Sequence, residues 1–131
     1  MTGHNLRLAL TLTLMSGALL TALNSPAFAA GDPEAGQAVF KSTCTMCHSN
    51  QPGQNKIGPT LFGLVGRKTG SVEGYTYSPA NIAANLTWDE ATLDKYLTAP
   101  RATIPGTKMT YGGQKDAEKR ANLIAYLATL K

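Results

Sequence analysis

The run Cys44-Thr45-Met46-Cys47-His48 contains both cysteines of the chain and one of its two histidines. A disulfide between thiols this close would close a very small ring. It would restrict little of the unfolded chain and is a poor staple for a fold. Three chemistries remain for two thiols at this spacing: a redox dithiol, a zinc site, or attachment of a cofactor. A thioredoxin-like dithiol belongs in a βαβ pattern, and the sequence shows none. A structural zinc site takes four ligands, usually from a second Cys/His pair. The only other candidate is His4, which would be lost with the leader. C-x-x-C-H is the attachment motif of c-type haem. At this distance each thiol can form a thioether with one vinyl group, and the adjacent histidine falls under the iron. The motif therefore predicts one covalent haem on Cys44 and Cys47, with His48 as an axial ligand of the iron.

A second axial ligand follows by elimination. Without His4, the chain has no second histidine, so the soft ligand left is methionine. Met1 and Met15 fall in the leader, and Met46 sits inside the attachment motif. Met109 remains, in the proline-fixed run Ile104-Pro105-Gly106-Thr107-Lys108-Met109. Filling a core gap is the commoner use of methionine. It is the haem motif that turns the choice toward ligation.

The chain has 131 residues and reads as one domain behind a leader. Residues 8–23 are mostly apolar, follow Arg7, and lead into Ala27-Phe28-Ala29. Charge, apolar run and A-x-A site in that order predict a secretory signal peptide over 1–29, cleaved near Ala29. The alternative is an uncleaved anchor. It is disfavoured because the run is shorter than the roughly 20 residues of a span and is interrupted by threonines. The expected domain is 30–131, exported to the periplasm. A formal charge of +4, with no basic run beyond short pairs, gives no nucleic-acid stripe.

An all-α fold is expected. Asp32 caps a first helix with Pro33 at its first position, and this helix runs up to the cysteines. Glycines and prolines punctuate residues 49–74, which marks ordered loops. Loops this long without secondary structure are usually functional, and a large apolar cofactor would organise them. Tyr75 and Tyr77 alternate with polar residues but have no partner strand, so they read as loop residues pointing inward. A weak helical turn is expected at 81–84. Thr87-Trp88-Asp89-Glu90 fits a capping box and predicts a central helix carrying Leu93, Tyr96 and Leu97, which Pro100 ends. A last helix is expected over 116–130, capped by Asp116, with Leu123, Tyr126, Leu127 and Leu130 as its apolar stripe.

On these residues the chain resembles class I cytochromes c of the mitochondrial-like branch, which includes bacterial periplasmic carriers. The likeness takes in Gly36 with Phe40, the haem motif, Gly58-Pro59-Thr60-Leu61 and Gly66-Arg67-Lys68-Thr69-Gly70. It continues through Tyr75-Thr76-Tyr77-Ser78, Trp88, Tyr96-Leu97, the Met109 loop and Leu123-Ile124-Ala125-Tyr126-Leu127. It implies the cytochrome c fold: crossed N- and C-terminal helices, a central helix, and long loops wrapped around one covalent haem. It also implies residue roles. The Pro59 carbonyl would accept from the free ring nitrogen of His48, and Tyr96 would donate to the sulfur of Met109. Arg67, Tyr77 and Trp88 would contact the haem propionates, with Asn81 and Thr107 in an internal polar network. Ordinary core packing of Tyr77, Trp88 and Tyr96 is compatible with those roles. The stretch from His48 to Pro59 is about one residue shorter than in the mitochondrial proteins. Gln37, Thr43 and Ala102 stand where that family carries lysines at the haem edge.

The expected function is that of a soluble, monomeric one-electron carrier, not an enzyme. The resemblance implies donors such as a quinol–cytochrome c reductase or a periplasmic dehydrogenase. The acceptor would be a terminal oxidase or a photosynthetic reaction centre. Nucleic acid is not expected as a partner, and membranes are met only through partner complexes.

Overall fold

Helix α1 (Pro33–Thr43) starts as the sequence predicts: the Asp32 carboxylate accepts from the Glu34 N–H at 2.8 Å, and Pro33 occupies the first turn. The computed structural model describes residues 30–131, so the expected leader and its cleavage site lie outside the described residues. The last helix, α5 (Ala117–Thr129), is capped by Asp116, whose side chain accepts from Lys119 N–H at 3.0 Å. The two terminal helices pack on each other and supply half of the core: Phe40 from α1, with Leu123, Ile124, Tyr126 and Leu127 from α5. Their close approach depends on Gly36. A Cβ there would lie 1.9 Å from the Asn122 carbonyl oxygen and 2.9 Å from the Tyr126 Cβ. The Phe40 and Tyr126 rings meet beside it at 5.2 Å. Asp32 N–H also donates to Asn122 Oδ1 at 2.7 Å, tying the start of α1 to α5.

Between these helices the chain is mostly loop, with no strand among the described residues. One isolated antiparallel bridge, Lys68 with Thr87, closes the long excursion. Around it Gly66 N–H donates to Trp88 O and Trp88 N–H to Arg67 O, at 2.9 and 2.8 Å. The bridge corrects the expected helix start. Thr87 is held extended against Lys68 and does not cap. The cap is Asp89, which accepts from Thr92 N–H at 2.7 Å, and α3 runs Glu90–Thr98. Asp89 is the next residue after the bridge able to turn the chain and offer an acceptor.

Two short helices complete the fold. The weak turn expected at 81–84 is α2 (Pro79–Ala83), capped by Ser78. Pro100 does follow the end of α3, but it also opens α4 (Pro100–Thr103), which the sequence reading does not anticipate. A proline without an N–H is tolerated at a first helical position, so the residue that stops one helix starts the next. The architecture is all-α: crossed terminal helices, the central α3, and loops gathered around one cavity. Among the described residues no helix is long and apolar enough to cross a membrane.

Candidate functional site

All eleven residues singled out above line a single cavity of about 530 Å³. They are Cys44, Cys47, His48, Pro59, Arg67, Tyr77, Asn81, Trp88, Tyr96, Thr107 and Met109. They come from the end of α1, three loops, α2 and α3, and only the tertiary fold brings them together.

The first wall is built by the end of α1. Cys44 caps that helix through its N–H to Phe40 O at 2.8 Å, and His48 N–H then donates to Cys44 O at 2.8 Å. This turn carries both thiols and the imidazole to the cavity. Gly58 is laid over the ring by its own N–H, which donates to Cys47 O at 2.8 Å. A Cβ at Gly58 would fall 2.3 Å from His48 Cε1, so only glycine leaves room for the imidazole. His48 Nδ1 lies 2.7 Å from the Pro59 carbonyl. A carbonyl can only accept, so Nδ1 carries the proton and Nε2 keeps a bare lone pair. Burial holds the His48 pKa below the ordinary value. The Pro59 bond opposes this, and the Lys56 and Arg67 charges reinforce it. The imidazole is therefore a neutral nitrogen donor with a fixed tautomer.

Burial, helped by Cys47, pushes the Cys44 thiol up to about 11. A redox dithiol works through a lowered thiol pKa. The site does the opposite, so the dithiol reading has no electrostatic support. Nor do the described residues hold any group of three or more His, Cys, Asp or Glu side chains suited to a bare metal ion.

Met109 is positioned from α3 and from its own loop. Tyr96 Oη donates to Met109 Sδ at 3.9 Å, and Thr107 Oγ1 lies 3.3 Å from Tyr96 Oη. Thr107 Oγ1 in turn accepts from the Met109 N–H at 3.3 Å. Burial raises the Tyr96 pKa, with the Thr107 bond opposing, so the phenol keeps its proton to donate. Met46, the rejected alternative ligand, is 80% exposed. Next to Met109, Lys108 donates to the Thr76 carbonyl and lies 4.7 Å from the Tyr75 ring centre.

The polar end of the cavity has unspent hydrogen-bonding capacity. Arg67 donates to Phe62 O at 3.0 Å and to Thr60 O at 2.9 Å, but its buried Nε has no partner. The buried Asn81 Oδ1 also has none. Tyr77 Oη accepts from Val72 N–H at 3.3 Å, and burial raises its pKa. A partly buried guanidinium with no facing carboxylate is costly unless an anion completes it. The rest of the lining is apolar, with Leu64, Leu93, Leu97, Leu123 and Leu127 facing the same space. An apolar disc carrying carboxylates at one edge fits both features. These residues therefore suit haem, with its hydrophobic ring and two propionates.

The sequence pattern places Leu93, Leu97, Leu123 and Leu127 on core stripes and not in a cavity lining, and it gives Leu64 no role. The only signal was the i, i+4 pairing of Leu93 with Leu97 and of Leu123 with Leu127, which any amphipathic helix shows. Tyr111, a further lining residue, had no sequence signal at all.

Comparison with known proteins agrees with the geometry. Residues 33–131 match the sequence profile of the cytochrome c family. Cytochrome c2 of Rhodopila globiformis is 50% identical over 101 residues, 77% of this chain and 95% of that protein. Cytochrome c of Gibberella zeae is 53% identical over 100 residues, 76% of this chain and 94% of that protein. Cytochrome c2 of Rhodomicrobium vannielii is 46% identical over 122 residues, 92% of this chain and 95% of that protein. The paired thiols, the tautomer-fixed imidazole and the apolar cavity thus agree with the sequence likeness, and the chain belongs to the cytochrome c family, electron carriers that hold haem c covalently and are not enzymes.

Proposed function

We propose that the protein is an exported, periplasmic one-electron carrier, with haem c joined through Cys44 and Cys47 and its iron between His48 and Met109. One observation supports this above the others. The bond from His48 Nδ1 to Pro59 leaves Nε2 as the free donor, and the cavity that takes it also takes the Met109 sulfur held by Tyr96.

When bound, the iron accepts and returns one electron. The chain's own residues make that exchange cheap. Pro59 fixes the plane and tautomer of His48 and raises its basicity as a ligand. Tyr96 holds the Met109 sulfur and Thr107 holds the Met109 backbone N–H, so neither ligand would have to move as the charge changes. A His/Met pair raises the potential. The leucine-lined walls keep water out and act in the same direction, because a low-dielectric site disfavours the extra positive charge of the oxidised state. Arg67, with its buried Nε unpaired, would offset the negative charge of the propionates at the polar end. With His48 and Met109 both holding the iron, no site would be left for oxygen chemistry.

The leader-like segment 1–29 supports export, and the Rhodomicrobium cytochrome c2 aligns over 92% of the chain, beyond the domain alone. A quinol–cytochrome c reductase or a periplasmic dehydrogenase is the proposed donor. A terminal oxidase or a reaction centre is the proposed acceptor. The decisive experiment is Met109→Ala in the purified holoprotein. It should abolish the sulfur-to-iron near-infrared band, lower the potential and let the reduced iron bind carbon monoxide. An unchanged potential with no carbon monoxide binding would show that another group holds the iron.

A further inference from the structure

The single ion pair among the described residues lies away from the cavity, and the reading above gives it no role. Arg120 Nε donates to Asp94 Oδ1 at 2.6 Å, with the side chains 11% and 29% exposed. Asp94 sits on α3 two residues before Tyr96, and Arg120 sits in the first part of α5. Such a pair could serve only to tie two helices together. Its other bonds point elsewhere. Arg120 Nη1 also donates to the carbonyls of Gln114 and Lys115, at 2.9 and 3.4 Å. Those carbonyls belong to the irregular segment 110–116, which leads from Met109 into α5.

That segment is pinned to the end of α3 at successive residues. Gln114 N–H donates to Leu97 O at 2.7 Å. Lys115 Nζ donates to Thr98 O. Gly113 has φ +99, and a Cβ there would lie 2.3 Å from Thr98 O, so the backbones touch. Arg120 thus holds both carbonyls of a segment already laid along α3, and Asp94 holds Arg120. Upstream of Met109, Tyr96 of the same helix holds the loop through Thr107, whose hydroxyl accepts from the Met109 N–H. Met109 is therefore suspended between two anchors on one rigid element, and the downstream anchor is charged.

We propose that Asp94 and Arg120 are positioning residues for Met109: they fix the downstream end of its loop and so set how often the sulfur leaves the iron. This rests on Met109 being the axial ligand. A half-buried charged hydrogen bond couples more strongly than an exposed one. Releasing it leaves the segment held only by its bonds to Leu97 and Thr98 at the end of α3, so the sulfur-free state becomes more populated.

Imidazole reports that population directly, because it can bind ferric iron only when the sulfur has left. Its apparent affinity scales with the fraction of open protein. Imidazole titrations of the ferric holoprotein should therefore show at least a tenfold gain in affinity for Arg120→Gln. A smaller gain of about threefold is expected for the gentler Asp94→Asn. The double variant should add little to Arg120→Gln alone, since both act through one connection. Arg120→Lys, which keeps the charge but loses the fork to two carbonyls, should not restore the wild-type value. Met109→Ala is the reference. If it binds imidazole no better than wild type, the ligand assignment itself fails. If it binds far better while Arg120→Gln and Asp94→Asn match wild type, the positioning role is wrong. A loss of denaturant stability with wild-type imidazole affinity would likewise reduce the pair to a helix tie and overturn the proposal.

Discussion

The helix crossing and the haem cavity are built on opposite principles. Where α1 meets α5, protein fills its own space: Leu123 is fully buried, the Phe40 and Tyr126 rings meet at a tilt, and Gly36 lets the backbones touch. Around the cavity the protein leaves about 530 Å³ that it does not fill, with a guanidinium nitrogen and an amide oxygen left unpaired. The crossing is complete as polypeptide, whereas the cavity is complete only with its cofactor. A chain of this size can keep such a hollow only because the haem becomes part of its core.

Withholding the haem should have the largest effect on the two regions. Without haem the leucine-lined wall loses its packing partner, and Arg67 Nε and Asn81 Oδ1 stay unpaired, in a domain whose whole stability is on the order of 5–15 kcal/mol. A Cys44→Ala/Cys47→Ala double variant produced without attached haem should therefore lack a cooperative unfolding transition by circular dichroism in guanidinium. A sharp two-state transition would show that the crossing sustains the fold alone.

A smaller effect comes from the crossing itself. Gly36→Val places side-chain atoms where the Asn122 carbonyl and Tyr126 already stand. Overpacking of this kind costs about 3 kcal/mol or more. Denaturant unfolding of the holoprotein should show that loss, while the near-infrared ligand band at low denaturant stays in place. A lost band with unchanged stability would mean that the two regions are not separable.

The smallest effect sharpens the comparison at the boundary. Tyr96→Phe removes the donor to Met109 and should cost about 1 kcal/mol. It should also change the pH dependence. Burial raises the Tyr96 pKa, so the folded state holds this proton more tightly than the unfolded state. Its stabilising contribution is whole below about 10, the ordinary phenol value, and is lost as pH rises beyond it. Stability of the holoprotein should fall less steeply above pH 10 in Tyr96→Phe than in wild type. Identical slopes would show that Tyr96 ionises as freely folded as unfolded.

How much of this was legible in the sequence depended on range. Asp32-Pro33 and Asp116 marked helix starts correctly because a cap acts within its own turn. Thr87 misled for the opposite reason. A capping box is a local signal, and a bridge to Lys68, nineteen positions away in sequence, held Thr87 extended and passed the cap to Asp89. Pro100 was seen only as a stop, because one residue serving two helices cannot be told from one ending a single helix. The C-x-x-C-H run was legible because thioether chemistry dictates its spacing. The Asp94–Arg120 connection was invisible, since nothing local distinguishes either residue from a solvated surface charge.

By itself, then, the sequence settled what depends on covalent chemistry and on neighbours within a turn: the C-x-x-C-H spacing, the Asp32 and Asp116 helix caps, the glycine-rich loops and the all-α class. Only the tertiary structure decided that eleven scattered side chains share one cavity, that Gly58 must lack a Cβ so that His48 can stand, and that Arg120 grips the chain leaving Met109. The physical reason is that spacing along a chain constrains geometry over a few residues. Packing and long-range hydrogen bonds form between segments whose meeting is fixed only when the whole core closes around the haem.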